Sequence, residues 1–317
     1  MANAKLIQTV RDIRSLKIQG SSAVRRAIVL ALKDSVKKSR ARSVKEFRAE
    51  LKKNALLLAA ARPTEPETRT ALRIILKKAS AELPLQKLRE AVLGECTAYE
   101  KNRKNAMREI ARIGARELKK CSTIFTHCHS HTVEAILLQA KKNGTLKRVI
   151  NTETRPRWQG RITSMNLAKA GIPVTHIVDS AAGVFLNEAD AFVTGADAIL
   201  ASGAAVNKIG TSLISLKAKQ LGVPHYIATS SHSFDPATYY GEKEEIEQRA
   251  AEEVWGKKIR GVEIRNPAFD TTEARFIKAI ICEKGVLPPK KFTAGMEKEL
   301  GLKEKKFVSL VEMLRGK

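Results

Sequence analysis

The stretch FTHCHSHTV, Phe125 to Val133, places Cys128 among His127, His129 and His131. Such a cluster can hold a metal ion, carry a reactive thiol, or pack inertly. The metal reading meets a geometric obstacle. On a strand, neighbouring side chains face opposite ways, so Cys128 would point away from the histidines. Residues two apart lie roughly 6.6 Å from each other and residues four apart roughly 13 Å. Zinc needs its donors about 2.0–2.3 Å from one point. The other cysteines, Cys96, Cys121 and Cys282, offer no CxxC partner, and no metal site is expected. The thiol reading stays open. Cys128 stands where a strand gives way to a helix, and a helix N-terminus with nearby cations favours thiolate. A buried, inert thiol is the alternative, and it is the expectation for Cys96 and Cys282.

A second group lies in GADAILASGAAVNKIGT, Gly195 to Thr211. Asp197 follows a strand and two small residues. A carboxylate there can simply cap a helix. Facing a cysteine across a crevice, it can instead act as a general acid if burial raises its pKa. Asn207 and Lys208, followed by Gly210-Thr211 at the start of a helix, supply an amide, a cation and backbone N–H groups. That combination suits a phosphate.

The elements that must position these groups can be read from periodicity. Residues up to about 120 have helical spacing. Ser21 or Ser22 is placed to cap AVRRAIVLALKDSVKKS, and Ser43 to cap VKEFRAELKKNALLLAAA. Pro63 disfavours helix at Arg62 and should end that element. Thr68–Lys78 reads as a short helix and Leu85–Lys120 as a long one. From Cys121 the texture changes to short β-rich runs, STIFTH, LKRVIN, IPVTHIVD, AFVTGAD and VPHYIAT, separated by helical segments and punctuated by Gly and Pro. Such alternation predicts a parallel, doubly wound sheet. Ligands then sit at the carboxyl ends of the strands. Those ends carry Cys128-His129-Ser130, Thr152 to Gly160, Asp179-Ser180-Ala181, Ala196-Asp197 and Ser230-Ser231-His232, which should converge on one crevice. Beyond Pro289 one or two further amphipathic helices are expected.

The bulk properties narrow the setting. A chain of 317 residues exceeds one ordinary core and predicts two domains, or one with an appendage. No apolar run spans a membrane, and the N-terminus does not read as a secretory signal. Four irregularly spaced cysteines point to free thiols in a reducing, cytoplasmic setting. The net charge of +25 is uneven, with 30 Lys+Arg against 12 Asp+Glu in residues 1–120. These cations are interleaved with Glu along helices, and aromatic residues are few, so a solvated helical surface is expected rather than a nucleic-acid interface.

THCHS, TETRPRWQG, VDSAAG, GADAI and VNKIGT, with ARPT before them and NPAFDTT after, resemble the archaeal ribose-1,5-bisphosphate isomerase family. That family groups with the methylthioribose-1-phosphate isomerases and with the alpha, beta and delta regulatory subunits of translation initiation factor two B. The resemblance covers nearly all of residues 1–290. It implies an α/β fold: a helical N-terminal domain, residues 1–120, followed by a Rossmann-like doubly wound parallel sheet, residues 121–290, with residues 291–317 a helical tail. It also implies an aldose–ketose isomerase that makes ribulose 1,5-bisphosphate from ribose 1,5-bisphosphate through a cis-phosphoenolate, in nucleoside and AMP salvage. By motif, Cys128 as thiolate removes the carbon-two proton and Asp197 as acid protonates the ring oxygen. Gln19, Gly20, Ser21, Ser22, Arg62, Ser130, His131, Asn207 and Lys208 contact phosphate and sugar, and Arg155 and Gln159 line or brace the crevice. No redox cofactor or metal is needed. A homo-oligomer, dimer or hexamer, is implied, and a nucleotide activator is a further expectation.

Three positions depart from the family pattern. Gln19-Gly20-Ser21-Ser22 stands where the isomerases have Arg-Gly-Ala-Gly. His131 and Ser233 each stand where they have lysine. Each lost cation removes a phosphate contact worth about 1.5–3 kcal/mol. His131, Lys208, Arg62 and Arg155 are the available replacements. The departures leave room for a smaller monophosphate or a nucleotide ligand, for a methylthioribose-type isomerase, and for a non-catalytic regulatory subunit that senses sugar phosphates or nucleotides.

Overall fold

The computed structural model describes residues 4–18, 20–62, 65–303 and 310. They group into two compact units. One runs to Asn105 and includes Leu310; the other is Ala106–Lys305.

The first unit contains α1 (Ala4–Arg14), α2 (Ser21–Lys37), α3 (Val44–Ala59), α4 (Pro66–Lys78) and the beginning of α5 (Leu85–Glu117). Apolar residues one helical turn apart, such as Val24, Ile28 and Leu32 on α2, close its core with Phe47, Leu58 and Leu72. Ser43 caps α3 as expected, accepting from the Glu46 amide at 3.2 Å. The cap of α2 differs from expectation: it is Gly20, at φ 85°, and Ser21 is already helical. Pro63 lies outside the described residues, and α3 ends at Ala59.

The second unit is built around a seven-stranded sheet. In chain order it has β1 (Thr123–Thr126), α6 (His131–Lys142), β2 (Arg148–Thr152), α7 (Gln159–Lys169), β3 (Val174–Ile177), α8 (Ala182–Phe185) and β4 (Ala191–Thr194). There follow β5 (Ala198–Ile199), β6 (Ala205–Lys208), α9 (Thr211–Leu221), β7 (His225–Ala228), β8 (Phe269–Thr272), β9 (Ala279–Cys282), β10 (Gly285–Leu287) and α10 (Pro289–Leu300). The main sheet runs β10-β9-β7-β4-β1-β2-β3, parallel except for β10. Alternate residues feed its two faces. Ile124, Val149 and Ala191 pack with Ile136, Leu137 and Leu167, while Phe125, Ile150 and Phe192 pack with Ile214 and Ala218. This is the two-sided burial that a parallel sheet requires.

Strand order reverses between β1 and β4: β2 and β3 continue one way, β7 and β9 the other. A crevice for ligands opens at the carboxyl ends of the strands on either side of such a switch. Beside it, β5, β6 and β8 form a small antiparallel sheet that the sequence reading did not foresee. The tail provides α10; a second tail helix would lie outside the described residues, apart from Leu310. Among the described residues no helix is long and apolar enough to cross a membrane.

Candidate active site

Cys128 follows β1 and Asp197 follows β4, so the two neighbouring strands of the topological switch each deliver one of the expected catalytic residues. β1 stops at Thr126. His127–Ser130 is therefore a turn, and the strand alternation used above to separate Cys128 from its histidines does not hold there. Cys128 takes φ 71°, a left-handed conformation that is uncommon outside glycine and costs about 1–3 kcal/mol. Two hydroxyls hold it. The Cys128 amide donates to Thr154 Oγ1 at 2.9 Å, and its carbonyl accepts from Thr163 Oγ1 at 3.0 Å. Thr154 itself sits at φ 62°, fixed by its own amide donating to Asp179 Oδ1 at 2.8 Å.

The opposite wall comes from the small sheet. The Asp197 amide donates to the Val206 carbonyl at 2.9 Å, which pins the half-buried Asp197 to β6. Asn207 and Lys208 end that strand, both buried, and Lys208 Nζ lies 4.7 Å from the centre of the Phe269 ring. The N-terminus of α9 does not offer its Gly210 and Ser212 N–H groups to a phosphate, as the sequence suggested it could. Asp270, on β8, already occupies it: its carboxylate accepts from the Gly210 amide at 2.7 Å and the Ser212 amide at 3.1 Å. The anion that this helix end favours is thus a side chain sixty residues away, which leaves Asn207 and Lys208 as the polar groups of VNKIGT for a ligand.

The electrostatics correct a second expectation. Burial pushes the Cys128 thiol up to about 11. The Lys208 charge and the His129 amide pull it down, and the Asp197 and Asp179 carboxylates push it up further. The helix terminus and cation expected to favour thiolate are outweighed by removal of sulfur from water. At neutral pH the sulfur carries its proton. His127 and His129 are both shifted down, chiefly by burial, and are neutral. Asp270 is raised to about 6 by burial, against the two amides it accepts from.

The remaining expected contacts fall in different places. Ser130 caps α6, accepting from the Val133 amide at 3.4 Å. A Cβ on Gly195 would come within 2.8 Å of Ser130 Oγ, so only glycine lets the β4 turn approach the Cys128 turn this closely. His131 is exposed, its ring 4.7 Å from that of His129. Arg155 is also exposed. Its guanidinium lies over the Trp158 ring at 4.6 Å and donates to the Val254 carbonyl at 3.3 Å, so it braces a loop. Gln159 opens α7 and is half-buried. Ser233 is buried, with its hydroxyl 2.8 Å from that of Thr229.

Gly20, Ser21, Ser22 and Arg62 belong to the first unit, and Gln19 lies outside the described residues. Within that unit Arg62 pairs with buried Glu65 at 3.0 Å. Ser21 Oγ donates to Glu67 at 3.4 Å, and Glu67 also meets Arg25 and Arg103 at 3.3 and 3.0 Å. Sequence reasoning missed Asp179, Thr154, Thr163 and Asp270 as site residues. Asp179 was visible as a strand end. Thr154 lay within the Thr152 to Gly160 strand end; Thr163 and Asp270 needed the turn geometry, which no spacing rule gives.

Residues 17–289 match the initiation factor 2 subunit family. The chain is 39% identical over 300 residues to the ribose 1,5-bisphosphate isomerase of Methanocaldococcus jannaschii, covering 94% of this chain and 96% of that one. It is 37% identical over 306 residues to the enzyme of the same name from Pyrococcus furiosus, covering 94% of each. Among solved structures, the translation initiation factor eIF-2B of Pyrococcus horikoshii OT3 superposes with a TM-score of 0.79 at 26% identity, covering 91% of this chain and 98% of that one.

Proposed function

Since the chain belongs to the initiation factor 2 subunit family, we propose that it is an aldose–ketose isomerase of that family, converting ribose 1,5-bisphosphate to ribulose 1,5-bisphosphate. The observation that carries this reading is the delivery of Cys128 and Asp197 by adjacent strands of the topological switch, with Lys208 buried beside them. The isomerase relatives act on substrates of this kind by name. A purely regulatory subunit has no use for an acid–base pair at that point.

Carbon one carries phosphate, so the sugar cannot open to a free aldehyde. Ring opening requires a proton on the ring oxygen as its bond to carbon one breaks, and loss of the carbon-two proton. The resemblance gives the first task to Asp197 and the second to a Cys128 thiolate. With burial holding the proton on the Cys128 thiol, we propose the reverse order. Cys128 Sγ–H, protonated at neutral pH, gives its proton to the ring oxygen. The Asp197 carboxylate takes the proton from carbon two, leaving a cis-enol phosphate. Asp197 then returns that proton to carbon one, while the carbon-two hydroxyl re-protonates sulfur as it becomes the ketone. Both groups end as they began. Asn207, Lys208 and Ser130 are proposed as substrate contacts in this unit, and Arg62, Ser21, Ser22 and the Gln19-Gly20 segment as phosphate contacts.

A homo-oligomer, dimer or hexamer, belongs to the same proposal. It is supported by Val184, Leu213 and Leu216, which are exposed on the packed pair α8 and α9. Size-exclusion chromatography with light scattering tests it, with and without AMP as the candidate nucleotide activator. The function itself is tested by incubating the purified chain with ribose 1,5-bisphosphate. Ribulose 1,5-bisphosphate should form with wild type and not with Cys128→Ser. No product from wild type, or full activity in Cys128→Ser, overturns the reading.

A further inference from the structure

His127 drew attention as a metal ligand, and nothing in the isomerisation uses it. It is nevertheless 2% exposed, and both of its ring nitrogens are engaged. Nε2 lies 2.9 Å from the Ile209 carbonyl. A carbonyl only accepts, so Nε2 carries the proton and Nδ1 is left as an acceptor. Nδ1 lies 2.5 Å from Thr152 Oγ1, which must therefore donate to it. Thr152 Oγ1 is 3.5 Å from Thr154 Oγ1, and Thr154 Oγ1 already accepts from the Cys128 amide.

Thr152 Oγ1 spends its proton on His127, so the Thr154 hydroxyl is the donor toward Thr152, reaching its Oγ1 or its carbonyl, each at 3.5 Å. The Cys128 amide donates to Thr154, Thr154 to Thr152, Thr152 to His127, and His127 to the Ile209 carbonyl. Thr152 and Thr154 are both fully buried, so the chain runs out of reach of bulk water. Aligned hydrogen bonds in a dry setting polarise and strengthen one another. The far end of the chain is the turn between Lys208, at the end of β6, and α9. Gly210, at φ 101°, takes the left-handed backbone of that turn, beside the imidazole edge.

We propose that His127 is a positioning residue, a two-ended strut that joins the left-handed Cys128 turn to the Lys208 turn and so sets the thiol's place relative to that cation. This rests on the reading of Cys128 as the acting thiol. The strut needs a neutral imidazole, because a protonated ring would present a donor to Thr152. The downward shift of His127 by burial agrees with this.

The test uses Thr152→Val, which removes one hydroxyl at nearly constant volume, Thr152→Ser, which keeps it, and His127→Gln. Two readouts are taken on protein shown to be folded by circular dichroism. One is isomerase kinetics. The other is the pH profile of Cys128 alkylation by iodoacetamide, resolved by peptide mass spectrometry with Cys121 as internal reference. Thr152→Val and His127→Gln should lower kcat by about 10–100-fold with KM within about threefold, as expected for a misplaced reacting group. Both should also shift the Cys128 alkylation profile while that of Cys121 stays put. Thr152→Ser should restore both. A wild-type Cys128 profile and kcat in either folded variant overturns the strut. If wild type shows no isomerase activity, yet Cys128 alkylation depends on Thr152 and His127, the strut stands and the isomerase reading fails. If activity needs Cys128 but not Thr152 or His127, the reverse holds.

Discussion

Cys128 and Cys282 both end a strand region of the same sheet, and burial raises both to about 11. They differ in what surrounds them. Cys282 lies in regular β9, fully buried, with Glu283 and Lys284 as its charged neighbours in the chain. Cys128 lies in a left-handed turn at the topological switch, facing Lys208, Asp197 and Asp179 from three other segments. Burial alone therefore does not mark a working thiol. What distinguishes Cys128 is that separate parts of the chain bring charge and hydrogen bonds to one residue, at the topological switch of the sheet.

The largest contrast should come from removing each thiol. Cys128→Ser should lower isomerase turnover by roughly 10²–10⁴-fold, the range of a lost general acid–base group. Cys282→Ala should stay within about threefold while losing about 1–2 kcal/mol of stability to the cavity it leaves. Denaturant melts and steady-state kinetics on both variants read this directly, and equal loss of activity in the two would erase the distinction. Lys208→Met is the next step down. Without the cation that pulls the Cys128 thiol down, its alkylation profile should move to higher pH, and kcat should fall about 10–100-fold. The Cys282 profile should not move.

The smallest effect concerns Asp270, which holds the turn on the Lys208 side. Its folded pKa is about 6 against 3.8 for the ordinary group, so between those values the folded state binds more protons than the unfolded. Stability should fall as pH rises from about 4 to 6, by at most about 3 kcal/mol from this group. Asp270→Asn should flatten that slope. Urea melts at stepped pH measure it, and an unchanged slope would contradict the assignment.

Much of this arrangement was legible in the sequence. Glycine and proline punctuation placed the parallel strands, and the strand-end rule grouped Cys128, Asp179 and Asp197. The small sheet was not legible, because the alanines and glycines of GADAILASGAAV show no alternation of apolar and polar residues. Asp270 escaped for a different reason: a helix cap supplied from sixty residues away leaves no local spacing to read. The thiolate expected at Cys128 rested on its neighbours in the chain, whereas the proton's position is decided by how completely the fold removes sulfur from water.

The pH–rate profile for conversion of ribose 1,5-bisphosphate, compared between wild type and Cys282→Ala, tests the central claim most directly. If Cys128 works as the resting acid, kcat should fall on the alkaline side as the thiol loses its proton toward pH 11, identically in both proteins. A rate that instead climbs steadily over that range would place the working form on the thiolate and contradict the account.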